Sequence, residues 1–252
     1  GQPSAPEPLV RVKAQHPVGL VVDPLGTVFF TVKRLHNSDA ERRGLILKWL
    51  PDGRLETFAA GLQDPNGLAL EAAGHLLAVD EGDGHRDRGR LLRFRAPAPP
   101  ELQPPAFTNR SPVAVPGTAE AGSQVSAYRV AELSAVLATA TAGAPPGSFT
   151  LQIPLVTNAE NHVTIVATGA GGLGLTSAPA DASIVHDDVP PSLRIMQPLG
   201  GAFVRQVATL VARAADGGSG VASVVFTFDG QTLGTLMNPD PLQVFPASLA
   251  FD

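Results

Sequence analysis

Two stretches of the chain repeat one another 48 residues apart, HPVGLVVDPLGTVFFTV from His16 to Val32 and DPNGLALEAAGHLLAVD from Asp64 to Asp80. Gly19 falls on Gly67, Leu20 on Leu68, Gly26 on Gly74 and Val32 on Asp80, so turn glycines recur together with the hydrophobic positions. A repeat at this spacing constrains the fold more tightly than composition does. Each copy is one supersecondary unit that buries its apolar face only against a neighbour, and a period of roughly 40 to 50 residues is that of a small antiparallel sheet.

Within the copies the hydrophobic runs are short, as strands are. Gly19 to Val22, Thr27 to Val32, Leu45 to Leu50 and Arg54 to Phe58 alternate with Asp23-Pro24-Leu25-Gly26 and Pro51-Asp52-Gly53, both of which have turn chemistry. The pattern predicts four strands per repeat. The second copy gives the same order, Gly67 to Leu70, His75 to Val79 and, after a charged loop, Arg90 to Phe94.

PNGLAL, a glycine turn, HLLAVDEGDG and GRLLRF together resemble the NHL and gluconolactonase class of six-bladed β-propellers. The resemblance implies two four-stranded blades over residues 9–95, following an N-terminal tether at 1–8. In that class a divalent metal on the propeller axis is held by a glutamate, two asparagines and an aspartate, and Asn66 stands at a matching PNG position. Val18 fills the corresponding place in the first copy. Two blades do not close a ring, so the expectation is that missing blades or strands are supplied by the rest of the natural protein.

Residues 96–105, APAPPELQPP, read as a stiff proline-rich linker. Beyond it, SPVAVPGTAEAGSQVSAYRV, GSFTLQIPL and HVTIVATGAGGLGLTSAP alternate apolar and polar residues, with turns every 8 to 12 residues, which is the signature of a β-sandwich. Residues 106–187 also resemble bacterial immunoglobulin-like modules. A second proline hinge at Pro190 and Pro191 precedes residues 188–252, a further immunoglobulin-like sandwich in which Asp229-Gly230 predicts a hairpin turn and Phe226 and Phe228 share a strand face. No hairpin equivalent to ATGAGG closes this last module, so it is expected to be incomplete and to present an open strand edge. The fold class expected is therefore all-β: a partial propeller followed by two sandwiches.

Composition narrows the functions. The chain of 252 residues has no cysteine, which excludes disulfides, thiolate metal sites and cysteine nucleophiles. Before Pro100 there are 13 Lys or Arg against 12 Asp or Glu; after it, 5 against 11. A charge-poor, acidic later part argues against nucleic acid, whose phosphates demand clustered cations. No apolar run approaches the roughly 18 residues of a membrane span. Arginine outnumbers lysine, which occurs only at Lys13, Lys33 and Lys48, and together with abundant alanine this predicts a bacterial gene. The chain begins at Gly1 without methionine, a start that a removed export signal would explain and that a cloned or fragmentary sequence would explain as well; the expected location is extracellular or at the cell surface.

The residues that could carry chemistry are few. GxGxxG is spelled at Gly169, Gly171 and Gly174, but the following LTSAPADASIV opens no helix to face a pyrophosphate, so the glycines predict a hairpin loop. The loop DEGDGHRDRGR holds Asp80, Glu81, Asp83 and Asp87 among Arg86, Arg88 and Arg90, a mixture that reads as internally paired. Asn66, Asp80, Asp187 and Asp188 are the only calcium candidates, each short of the roughly six oxygen donors a hard cation takes. The preferred expectation is that no cofactor is bound, that Asn66 shapes a turn, and that Asp187 and Asp188 form a solvated hinge. Charged loops at matching repeat positions, SDAERRG and DEGDGHRDRGR, lie on one propeller face. That makes Arg42, Arg43, Arg86 and Arg88 the candidates for contact with a protein or glycan partner. No GxSxG or HExxH occurs. The reading is a non-enzymatic, secreted or surface multi-module protein; the alternative is a fragment of a lactonase-like or sugar-oxidising propeller enzyme with accessory modules.

Overall fold

The computed structural model describes residues 10–12, 15–34, 44–82, 88–130, 132–169 and 174–251. Among them there is no helix, and none of the several sheets closes into a barrel. The chain divides into two compact units, one of Gly1–Gln103, Ala114–Gln152 and Val163–Ala182, the other of Pro104–Val113, Ile153–His162 and Ser183–Asp252.

In the first unit, β1 (Gln15–Val22), β2 (Val28–Arg34), β3 (Gly44–Trp49) and β4 (Leu55–Leu62) form a four-stranded antiparallel sheet in chain order. A second sheet holds β5 (Pro65–Leu70), β6 (Leu76–Asp80) and β7 (Arg90–Phe94), three strands where the repeat predicts four. The backbone repeats as the sequence does. Asp23 N–H donates to Thr27 O (2.9 Å) and Gly26 N–H to Asp23 O (3.0 Å), while Glu71 N–H donates to His75 O (2.9 Å) and Gly74 N–H to Glu71 O (2.8 Å). Each copy also carries a bulge at the same place, between Pro17 and Leu20 in β1 and between Pro65 and Leu68 in β5. A bulge bends its strand and increases the local twist.

Alternation along β2 sends Phe29 and Thr31 to one face and Val28, Phe30 and Val32 to the other. Phe29, Ile46 and Phe58 pack with Leu76 and Ala78 of the second sheet in one buried cluster, joined by Leu68, Leu70, Leu92 and Phe94. The Phe58 ring meets Phe29 and Phe94 edge-on, at centroid distances of 5.3 and 5.1 Å. Edge-on pairs add to the area term, which for each fully buried side chain of this size is about 1.5–3 kcal/mol. The bulged strands lie side by side: the buried Thr31 hydroxyl accepts the Gly19 N–H (2.8 Å) and donates to the Asn66 carbonyl (2.7 Å). A Cβ at Gly19 would overlap that carbonyl, so the close approach requires glycine. Leu175 joins the same cluster from the loop after β14 (Glu160–Thr168).

The middle of the chain forms two further sheets. One has β10 (Val113–Thr118) between β13 (Ser148–Ile153) and β8 (Glu101–Leu102); the other has the order β12 (Glu132–Thr141), β11 (Gln124–Arg129), β14, β15 (Ala180–His186) and β9 (Phe107–Thr108). β13 alternates strictly between exposed and buried, and Val115, Val125, Leu151, Ile165 and Ile184 are wholly buried. The proline run is more than a linker: Glu101–Leu102 within it pairs with β10 as an edge strand, where the missing N–H of a neighbouring proline is tolerated. After β14, Gly169 N–H bonds Leu175 O and Thr168 bridges Thr176, a hairpin closure with no helix following; Gly171 lies outside the described residues.

From residue 188 onward the described residues carry five strands. β16 (Ser192–Gln197), β17 (Ala208–Ala215) and β20 (Phe245–Phe251) make one sheet; β18 (Ser223–Phe228) and β19 (Gln231–Met237) make a hairpin. Asp229 and Gly230 have φ of 44° and 79°, the paired positive values of the predicted turn. The core is small-residue packing of Ala212, Ala214, Val221, Val224 and Ala247, with Phe226 partly buried against it and Phe228 exposed.

Candidate functional site

At the end of the bulged strands the polar residues are bound to one another. Asp80, wholly buried on β6, accepts the N–H of Asp64 (2.8 Å) and of Gln63 (3.1 Å) on Oδ1 and Arg90 Nη2 (2.6 Å) on Oδ2. Burial pushes its pKa up, but the hydrogen bonds from Asp64, Arg90, Gln63 and Gly82 outweigh it and hold the carboxyl below the usual range. Asp64 pairs with Lys33 at 2.9 Å, and Asn66 Nδ2 donates to Glu81 Oε1. Asp80 therefore clamps the β4–β5 connection and β7 together, with its oxygens turned to N–H donors and away from an open site.

Asn66 and Asp80 are thus brought within one network, with Asn66 placed in the β5 bulge and its carbonyl tied to Thr31. Among the described residues no group of three or more His, Cys, Asp or Glu converges as metal ligands. Arg42, Arg43 and Arg86 lie outside the described residues, as do Asp83 and Asp87; Arg88 is exposed and engaged with a neighbour. Asp187 is buried rather than solvated: Oδ2 accepts the Ser219 N–H (2.5 Å) and Oδ1 the Val189 N–H (3.1 Å). Hydrogen bonds from the Ser219 hydroxyl and N–H hold its pKa below the ordinary value. Asp188 is exposed, and its N–H donates to Asn158 Oδ1 (2.9 Å). The junction is a hydrogen-bonded lock between residues 187–189 and the 216–220 loop.

One open apolar feature corresponds to no motif in the sequence. A groove of about 410 Å³ runs along the first sheet on the face opposite Phe29, lined by Val10, Val12, Val18, Leu20, Phe30 and Trp49. Leu20 is 63% and Val22 51% exposed beside it, while Phe30, which lines it, is buried in one cluster with Val32, Leu45 and Leu47. Such a concave apolar strip on a rigid sheet can bind an apolar surface; it holds no nucleophile or acid–base pair. The signal in the sequence was the apolar set Val18, Leu20 and Val22 on one face of β1 beside Val28, Phe30 and Val32 on one face of β2. A second cleft, of about 650 Å³, is lined by His75, Arg93, Arg95 and Glu120; there His75 Nδ1 accepts the Ala96 N–H (3.0 Å) and Arg93 pairs with Glu71.

No family model matches the chain, and no curated protein matches it. Among solved structures it is similar to a chain described as "Biofilm associated protein - BSP domain", at 16% identity and a TM-score of 0.29, over 70% of this chain and 30% of that one. The chain thus spans less than a third of that structure's length, and a likeness at this level fixes neither fold nor role.

Proposed function

We propose that the chain belongs to a non-enzymatic, secreted or cell-surface protein of bacterial type. In this reading residues 9–95 are two propeller blades serving as a partner-binding platform, and the immunoglobulin-like sandwiches at 106–187 and 188–252 are spacers in an adhesion or surface scaffold. The observation that carries it is the groove beside Leu20 and Trp49, an apolar surface left open on a sheet whose opposite face is fully packed. Exposed apolar strips of this kind mark contact surfaces. The Arg42, Arg43, Arg86 and Arg88 loops are the proposed polar part of the platform.

The test is capture of glycans and extracellular proteins on arrays by the 252-residue chain and by a Leu20→Glu/Val22→Glu variant. Hits lost in the variant, with its circular dichroism unchanged, are the expected result; no hits in either array would reduce the chain to a purely structural repeat. The enzymatic alternative predicts a stoichiometric divalent ion by metal analysis, calcium included, together with lactone hydrolysis. Neither is expected.

A further inference from the structure

The repeat shows what the open face is shaped to receive. Inside the chain, the second sheet turns Leu68, Leu70, Leu76, Ala78, Leu92 and Phe94 toward the first. Their repeat counterparts, taken from the 48-residue match and from the strand register, are Leu20, Val22, Val28, Phe30, Leu47 and Trp49, the residues in and around the groove. The reciprocal set behaves in the same way. Val21, Phe29, Thr31 and Ile46 of the first sheet face the second, and their counterparts Ala69, Leu77, Val79 and Leu91 lie on the second sheet's outer face, with Val79 42% and Leu91 69% exposed. Both halves of the internal interface recur on opposite sides of the pair, with Leu20, Val22, Val79 and Leu91 exposed, while Phe30 and Leu47 are buried in a cluster against which the Val10–Val12 segment packs.

The strand count points the same way. The 48-residue match extends upstream of the bulge: Val10 falls on Phe58, Val12 on Ala60, Gln15 on Gln63 and Pro17 on Pro65. The Val10–Val12 segment is thus the repeat counterpart of β4, and it packs on Phe30, Val32, Leu45 and Leu47 much as Phe58 packs in the cluster with Leu92 and Phe94. Among the described residues the second sheet has no fourth strand, and β7 is its edge. An edge strand offers a row of backbone groups to an incoming strand.

We propose that the groove face seats the second sheet of another copy of this chain, head to tail, with the Val10–Val12 segment of the receiving copy set against β7 of the docked one. The inference rests on reading the two sheets as propeller blades and names the platform's partner. Such an interface is heterologous, and it closes into a ring when the rotation permits. Two, three or four copies give four, six or eight sheets, the range of closed propellers. The contact between copies is weaker than the internal one, because Val79 stands where Thr31 supplies the hydroxyl to Asn66.

Sedimentation of the 252-residue chain from micromolar to near-millimolar loading is expected to show mass rising to between two and four copies, with β7 amides gaining hydrogen-exchange protection. Leu20→Glu/Val22→Glu and Val79→Glu/Leu91→Glu, all at exposed positions, are each expected to weaken association at least about tenfold. An equimolar mixture of the two variants retains one intact interface and is expected to form dimers and nothing larger. A chain that stays monomeric at every concentration overturns the proposal, as does a Val79→Glu/Leu91→Glu variant that associates like the parent. A monomer that still captures array hits through the groove would end this inference and leave the platform reading standing; loss of both would end both.

Discussion

Asp23 and Asp80 are both buried carboxylates, and they respond to pH in opposite senses. Burial raises the Asp23 pKa, with hydrogen bonds from Thr27, Leu25 and Gly26 opposing but not cancelling it. The folded state then holds that proton more tightly than the unfolded chain, so Asp23 costs stability at neutral pH and the cost vanishes as pH falls through its raised value. Asp80 has a depressed pKa; its contribution is present above the unfolded value of 3.8 and is lost as pH falls through the lower folded one. Asp80→Asn is expected to lose about 1–3 kcal/mol at pH 7, with the difference shrinking as the pH falls below 3.8 and on through the lowered folded value, as read from urea titrations at neutral and acid pH. Asp23→Asn keeps an oxygen to accept the Leu25 and Thr27 N–H groups, and equal or higher stability at pH 7 is expected in the same titrations. The sequence marked Asp80 as part of a charged loop and as a calcium candidate, and not as a buried carboxylate. Its burial depends on Gln63, Asp64 and Arg90 closing over it, which residue type alone does not reveal.

At the scale of the element, two turn glycines with nearly the same backbone separate local strain from packing. Gly53 and Gly74 have φ of 86° and 88°; a Cβ at Gly53 would meet nothing within 4 Å, whereas one at Gly74 would overlap the Thr176 carbonyl. Gly53→Ala is expected to cost about 1–2 kcal/mol, the strain of the left-handed conformation by itself. Gly74→Ala is expected to cost measurably more in chemical denaturation, because the β5–β6 turn must also move off the 175–178 loop. Turns and alternation were legible, since each is set by residues within a few positions of one another, whereas the bulges at both PxGL sites emerged only with the strand register. The edge strand inside the proline run was not legible, because its partner β10 lies more than ten residues further on. That the second sheet holds three strands among the described residues was equally hidden: the repeat predicts a fourth and is silent on where the chain turns away.

For the whole molecule, Phe58 joins the two sheets and no other ring touches both Phe29 and Phe94 among the described aromatic pairs. Phe58→Ala is expected to cost about 3–5 kcal/mol. Hydrogen exchange should show lost protection across residues 16–94, while the Ala212, Val224 and Ala247 core keeps its own; equal loss in both regions would contradict two separately packed units. What the sequence by itself determined is all-β construction, the unit of repetition and the turns, because these follow from local sterics and from alternation along one strand. Tertiary structure alone decided which face of each sheet is covered, that Asp80 and Asp187 are locked by N–H donors, and that Leu20 and Val22 stay open. Each of these depends on residues tens of positions apart meeting in space, as Leu175 meets the Phe29 cluster, and a pattern read along the chain gives both faces of an apolar strand the same spelling.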